Sequence, residues 1–284
     1  MSRIVYVNGE FLPEEDAKIS IFDRGFLFAD GVYEVSTILD GKLVDNAAHL
    51  ARLQRSLGEL AIPAPCSMEE IERIQHELIQ RNAISAGSIY LQVTRGAEDR
   101  NFLWSEDLKP SLIMFTQTRG AKMDKVADVG LDVISRPDIR WQRRDIKTVA
   151  LLPASMAKRE AVAAGANDAW MVEDGFVTEG TSNNAYIITR DGKLITRALS
   201  NKILHGITRK AVLALAEEAG LAVEERSFTP DEVKNAAEAF VTSATMFVAP
   251  VVSFDGAKIG DGKPGPHTRR LRDLYIAFAK NSLS

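Results

Sequence analysis

The chain has 284 residues, 45% hydrophobic and 26% charged, with 35 Lys and Arg against 39 Asp and Glu for a formal net charge of −4. That composition excludes disordered, collagen-like and low-complexity classes, and a mildly acidic chain without a basic block argues against a nucleic-acid partner. The length exceeds what one core usually serves, so two domains are expected.

The opening residues lack a positive stretch followed by an apolar one, so no signal peptide is expected. Residues 4–7 and 11–12 flank Asn8-Gly9-Glu10, a hairpin signal in which Asn-Gly favours positive φ. Residues 32–39 are β-branched and aromatic and predict a strand, which Asp40-Gly41 turns into 42–44. His49, Leu50, Leu53, Leu57 and Leu60 recur near a 3.6 period, and Pro63 and Pro65 end that helix. A second amphipathic helix is predicted over 69–82, with strands over 88–95 and 111–117. The polar, aperiodic segment 118–122 is expected to link a domain of residues 1–117 to one of residues 123–284. Beyond it, strands at 129–135, 168–173, 184–189 and 239–241 alternate with helices at 155–164, 208–219, 230–236 and 268–280. The most apolar stretch, 239–254, is interrupted by Thr242, Ser243, Thr245 and Pro250, too short and polar to span a bilayer. No internal repeat is found. The expected class is α+β in the first part and mixed α/β with a barrel-like sheet in the second.

Lys147 sits in Asp145-Ile146-Lys147-Thr148-Val149-Ala150-Leu151-Leu152-Pro153, one ammonium in an apolar run. Desolvation lowers a lysine pKa and frees its amine as nucleophile or base, although a snorkelling lysine at a strand end is the more ordinary local reading. Val177 to Asn184, after the Glu173-Asp174-Gly175 turn, set hydroxyls and amides around Glu179, which a turn or capping cluster does equally. His205-Gly206-Ile207-Thr208-Arg209 opens a helix, and helix-start amides beside a glycine suit an anion. Phe240 to Thr245 run from a strand into small polar residues, equally a plain turn. His49, His76, His205 and His267 have no metal-ligand spacing and Cys66 is alone, so no metal is predicted. The single cysteine also rules out an internal disulfide and suits a reducing, cytoplasmic compartment.

Taken in order, these segments resemble the fold-type IV pyridoxal-phosphate enzymes, and within them the D-amino-acid aminotransferases. The resemblance spans essentially the whole chain through Asp23-Arg24-Gly25, Asp30-Gly31-Val32-Tyr33-Glu34, His49-Leu50-x-Arg52-Leu53 and Val93-Thr94-Arg95-Gly96. It continues through Asp145-Ile146-Lys147, Thr178-Glu179-Gly180, Gly206-Ile207-Thr208-Arg209 and Phe240-Val241-Thr242-Ser243. It implies a small N-terminal α/β domain, a larger barrel-like C-terminal α/β domain carrying the lysine, and a homodimer. The implied activity is ping-pong transamination between a D-amino acid (such as D-alanine or D-glutamate) and a 2-oxo acid (such as 2-oxoglutarate or pyruvate).

By the same resemblance, Lys147 holds pyridoxal 5′-phosphate as an internal aldimine and later shuttles a proton, and Glu179 keeps the pyridine nitrogen protonated. Arg52, Ile207, Thr208, Ser243 and the amide of Ala244 form the phosphate cup, with His205 as its neighbour. Tyr33 faces the substrate, and Arg100 grips the substrate carboxylate from the partner subunit. The chain departs from the pattern at Phe102, where histidine is expected, which leaves the carboxylate one donor fewer and widens the possible substrates toward primary amines. Tyr90-Leu91-Gln92 lacks the arginine of the branched-chain branch. Arg24 reads as an ion-pair residue or a substrate contact. Trp104, Trp141 and Trp170 read as packing, with Trp104 also able to line the substrate mouth. Branched-chain or (R)-amine transamination, or an aminodeoxychorismate lyase of the same fold, are the competing activities.

Overall fold

The computed structural model describes residues 2–118 and 122–284. The chain forms two compact units, one of residues up to 118 with Ile146–Ala150 and Lys280–Ser284, the other of residues 122–145 with Leu151–Ala279.

The first unit contains β1 (Ile4–Val7), β2 (Glu10–Pro13), α1 (Arg24–Phe28), β3 (Gly31–Leu39), β4 (Lys42–Leu43), α2 (Asn46–Glu59), α3 (Met68–Arg81), β5 (Ala86–Thr94) and β6 (Ser111–Thr118). The strands form an antiparallel sheet ordered β2-β1-β6-β5-β3-β4. Both predicted hairpin turns are present, with φ positive at Asn8, Gly9, Asp40 and Gly41 as their turn chemistry requires. Leu50, Leu53 and Leu57 of α2 and Ile71, Ile74 and Leu78 of α3 pack with Ile38, Ile89, Leu91 and Val93 of the sheet. Full burial of each such side chain contributes about 1.5–3 kcal/mol. The buried face of α2 is also polar, through Asn46, His49, Arg52 and Ser56.

Ile146 belongs to this core. The Tyr33 amide donates to the Lys147 carbonyl (3.0 Å) and the Val149 amide to the Gly31 carbonyl (3.1 Å), so 146–150 runs along β3 as an extra edge. Lys147 is therefore counted with the first unit and not with 123–284, where sequence analysis placed it, because its backbone pairs with β3. Of the expected linker 118–122, residues 119–121 lie outside the described residues, Thr118 ends β6 and Lys122 opens a helix.

The second unit contains α4 (Lys122–Val129), β7 (Leu131–Pro137), α5 (Leu152–Ala163), β8 (Asp168–Glu173), β9 (Phe176–Gly180), β10 (Asn184–Ile188), β11 (Lys193–Thr196) and α6 (Ile207–Glu218). It continues with β12 (Ala222–Glu225), α7 (Pro230–Asn235), β13 (Glu238–Ser243), β14 (Phe247–Phe254), β15 (Ala257–Lys258) and α8 (Pro266–Asn281), whose last residues count with the first unit. The sheet order is β12-β11-β10-β13-β14-β7-β8-β9, with β15 on β14. Pairs β11/β12, β14/β7 and β7/β8 are parallel and the rest antiparallel, which makes the mixed, half-barrel sheet that was expected. Trp170, Phe228, Phe254, Val241 and Val251 fill its core.

Sequence analysis did not foresee α1, α4, β9, β11, β12, β14 or β15. In β9 the run Val-Thr-Glu-Gly is polar yet buried, and in β14 Pro250 breaks an otherwise clear strand signal. No helix among the described residues is long and apolar enough to cross a membrane.

Candidate functional site

Glu179 lies near the end of β9 and is buried. The hairpin through Asp174 and Gly175, both at positive φ, sends the chain from β8 into β9. The Gly180 amide then donates to the Asn183 carbonyl (2.8 Å) and closes a tight turn. That turn returns Asn184, whose side-chain amide donates to Glu179 Oε2 (2.9 Å) and to the Leu204 carbonyl (3.0 Å). The Leu204 backbone N–H donates to both Glu179 oxygens (3.2 and 3.1 Å). Arg140 donates from Nη1 to Glu179 Oε1 (2.6 Å) and from Nε and Nη2 to Asp138 (3.0 and 2.8 Å). Asp138 is held in turn by the Thr178 hydroxyl (2.6 Å). Burial pushes the Glu179 carboxyl above its ordinary value, against the opposing pull of Arg140 and the Leu204 N–H.

The start of α6 adjoins this carboxylate. Gly206 is its extended N-cap, makes no side-chain cap bond, and no acidic residue sits in the first turn. A Cβ at Gly206 would collide with Asn184 Oδ1, so glycine is what lets the helix start approach the strand. Asn184 pairs with Thr242 across β10 and β13, and α6 packs on β13. Ser243 follows at the end of β13, its hydroxyl accepting from the Met246 amide (3.1 Å). The expected residues Glu179, Ile207, Thr208, Ser243 and Ala244 thus lie at the end of β9, at the end of β13 beside the start of β10, and at one uncapped helix start. Uncapped helix-start amides favour an anion.

In the first unit Lys147 is half-buried, and its Nζ lies 4.1 Å from the centre of the Tyr33 ring. Tyr33 stacks at 5.5 Å on Tyr90, whose hydroxyl donates to Gln92 Oε1 (2.8 Å). Gln92 stands opposite Tyr33 in the β3/β5 register and shares its face. Arg52 belongs to the other face of β3. It donates from Nε and Nη2 to the two oxygens of Glu34 (2.7 Å each), and His49 Nδ1 lies 2.8 Å from Glu34 Oε2. Burial opposes the charge on Glu34, but the Arg52 guanidinium and the His49 hydrogen bond outweigh it and hold the carboxyl well below the usual range. Arg100 is exposed, with Phe28 and Phe102 rings 5.4 and 5.5 Å from its guanidinium.

Residues 31–254 match the family described as amino-transferase class IV. The chain belongs to the class IV aminotransferases. Enzymes of this class depend on pyridoxal 5′-phosphate. Along its full length this class IV aminotransferase is similar to the D-alanine aminotransferase of Staphylococcus aureus strain N315, 38% identical over 98% of each chain. It is also similar to that of Bacillus licheniformis, 41% identical over 94% of each chain. Among solved structures it is similar to the branched-chain aminotransferase of the thermophilic archaeon Thermoproteus uzoniensis with norvaline. The TM-score there is 0.86 at 26% identity, covering 99% of this chain and 96% of that one.

The chemistry of the donors suits the cofactor of this class. A primary amine lies against an aromatic ring, a buried carboxylate can face a ring nitrogen, and an uncapped helix start can receive a phosphate. In this aminotransferase Arg24 is an ion-pair residue, as one of the two sequence readings had it. Trp170 is core, and Trp104 lies against two arginines, with ring centres 4.0 Å from Arg95 and 5.7 Å from Arg24. Sequence reasoning missed Arg140, Asn184, the Leu204 N–H and the Glu34–His49 pair. Asn184 stood inside the polar run already singled out, whereas nothing local in the sequence distinguishes Arg140 from the arginines at 136, 143 and 144.

Proposed function

We propose that the chain transfers an amino group between a D-amino acid, such as D-alanine or D-glutamate, and a 2-oxo acid, such as 2-oxoglutarate or pyruvate. The observation that carries this reading is similarity over nearly the whole chain to D-alanine aminotransferases. Gln92, a neutral amide where the branched-chain branch has arginine, also favours it.

Bound pyridoxal 5′-phosphate supplies an aldehyde to carry the amino group and a ring that draws electrons from the substrate α-carbon. Lys147 would hold the cofactor by its aldehyde group, with loss of water, and its amine would move a proton at the substrate α-carbon. Glu179 would face the ring nitrogen as an anion and so hold a proton there. The amides of Ile207, Thr208 and Ala244, the hydroxyls of Thr208 and Ser243, and Arg52 bind the phosphate. Tyr33 orients the substrate, and Arg100 binds its carboxylate.

Borohydride reduction of the holoenzyme should attach the cofactor to the peptide containing Lys147, and Lys147→Ala should abolish transamination. A label on any other lysine removes the assignment. Incubation with D-alanine and 2-oxoglutarate should yield pyruvate and glutamate. Exchange only with L-leucine supports the branched-chain activity instead, and release of 4-aminobenzoate from aminodeoxychorismate supports the lyase.

The same reading makes the enzyme a cytoplasmic homodimer in which Arg100 of one protomer serves its partner. Phe26, Phe102 and Leu103, 74%, 77% and 77% exposed, are apolar surface that a second copy would cover. The lone Cys66 suits a reducing compartment. Mixed Lys147→Ala and Arg100→Ala protomers should recover activity, and no recovery after proven subunit exchange contradicts the shared site. Phe102→His should restore a donor and lower the Michaelis constant for D-alanine by about three- to ten-fold, while reducing any activity on (R)-1-phenylethylamine.

A further inference from the structure

The loop after β5 would be a poor place to fix a substrate-binding arginine, because residues 99–107 are exposed. Beneath it lies Arg24, the first residue of α1, only 3% exposed. Its Nε donates to Asp30 (2.9 Å) and its Nη1 to Glu98 (3.2 Å). Nη1 also donates to the carbonyl of Asn101 (2.6 Å), and Nη2 reaches the carbonyl of Phe102 at 3.5 Å. Those carbonyls belong to the two residues that follow Arg100. Asp30 is fixed independently by Arg95 Nε and Nη2 (2.7 and 3.1 Å), and Arg95 donates to the carbonyls of Leu60 and Ala61. The backbone is pinned at the loop's entry as well, since the Arg24 amide donates to Gly96 and the Glu98 amide to Phe22. Finally, the Phe28 ring is within cation–π reach of both guanidinia, 4.5 Å from Arg24 and 5.4 Å from Arg100.

We propose that Arg24, with Phe28, is a positioning residue for Arg100: it clamps the main chain of Asn101 and Phe102 so that the exposed guanidinium is presented to the substrate carboxylate in one geometry. This rests on the reading of Arg100 as the carboxylate contact. The planar fork is what the role requires, because its five spread donors can hold two carboxylates and two carbonyls at once, whereas an ammonium has three donors on one atom. A loop held in this way loses less freedom on binding substrate, so the clamp acts on affinity and leaves the chemical step alone.

The test uses the holoenzyme with D-alanine and 2-oxoglutarate, comparing wild type, Arg24→Lys, Phe28→Leu, Arg100→Ala and the double variant Arg24→Lys/Arg100→Ala. Arg24→Lys should raise KM for D-alanine by about ten-fold, with kcat within about two-fold of wild type and the bound-cofactor absorbance unchanged. Phe28→Leu, which keeps every polar contact, should raise KM by about three-fold, and it carries the test should Arg24→Lys fail to fold. Arg100→Ala should raise KM by about ten- to a hundred-fold, and the double variant should be no worse than Arg100→Ala alone. The inference is overturned when the two effects multiply, when Arg24→Lys and Phe28→Leu both leave KM unchanged, or when kcat and cofactor occupancy fall along with affinity. An Arg100 effect without an Arg24 effect removes the inference alone, whereas an unchanged KM in Arg100→Ala removes the carboxylate reading as well.

Discussion

Two buried glutamates, one in each unit, meet arginine at nearly the same distance and titrate in opposite directions. Glu34 on β3 receives Arg52 through two N–H groups and His49 besides, and its carboxyl is driven down. Glu179 on β9 receives one N–H from Arg140, which gives its other two contacts to Asp138, and its carboxyl is driven up by burial with the Asp138 charge adding to the rise. A carboxylate held by two N–H groups of one guanidinium and by a histidine is locked as an anion. One that shares its guanidinium with a second carboxylate is left short of positive partners for its charge, and a protonated ring nitrogen facing it would supply one.

Glu179→Gln should break the second half of that comparison with the largest effect, lowering turnover by about 10²- to 10³-fold while cofactor still binds. A variant with near-wild-type kcat would show that Glu179 does not serve the nitrogen. Glu34→Gln should break the first half in a different observable. It leaves the buried Arg52 charge uncompensated, so denaturant titration should register a loss of about 3–5 kcal/mol. Asp138→Asn sharpens the contrast by giving Arg140 to Glu179 alone. It should bring the Glu179 carboxyl down, so the acid limb of the pH–rate profile should move to lower pH with plateau kcat within about three-fold of wild type.

The smallest effect lies in the pH dependence of stability. The ordinary glutamate value is 4.5. Because Glu34 is depressed in the fold, its contribution is present above that value and is lost as pH falls toward the folded value. Glu179 is raised, so its contribution is full below 4.5 and is lost as pH rises through its folded value. Glu34→Gln should therefore flatten the acid side of a melting-temperature profile, and Glu179→Gln the side above 4.5. The same profile in both variants would mean that the two carboxyls are alike.

Much of this was legible beforehand wherever local chemistry dictates backbone. Asn8-Gly9, Asp40-Gly41 and Asp174-Gly175 announced turns because few other pairs tolerate their left-handed φ. The helices α2 and α3 announced themselves through apolar period. The strand of Glu179 did not, since its polarity is satisfied by Arg140, Asn184 and Leu204, which lie 39 residues before it, 5 after and 25 after. The pairing of 146–150 with β3 was hidden for a related reason, as both partners read as apolar and nothing in either specifies the other. Long-range pairing of buried charge leaves no short pattern to find.

The edge formed by Ile146–Ala150 also constrains how the gene can be cut. The first unit is assembled from three separate stretches of chain, and Ser284 at the far end still exchanges hydrogen bonds with Leu43. A fragment ending at residue 118 would lack both the edge beside Gly31 and the strand end beside Leu43. A chimera joined at 119–121 would inherit Lys147 from one parent and Tyr33 from the other, so recombination at the most obvious seam divides the amine from the ring it rests on.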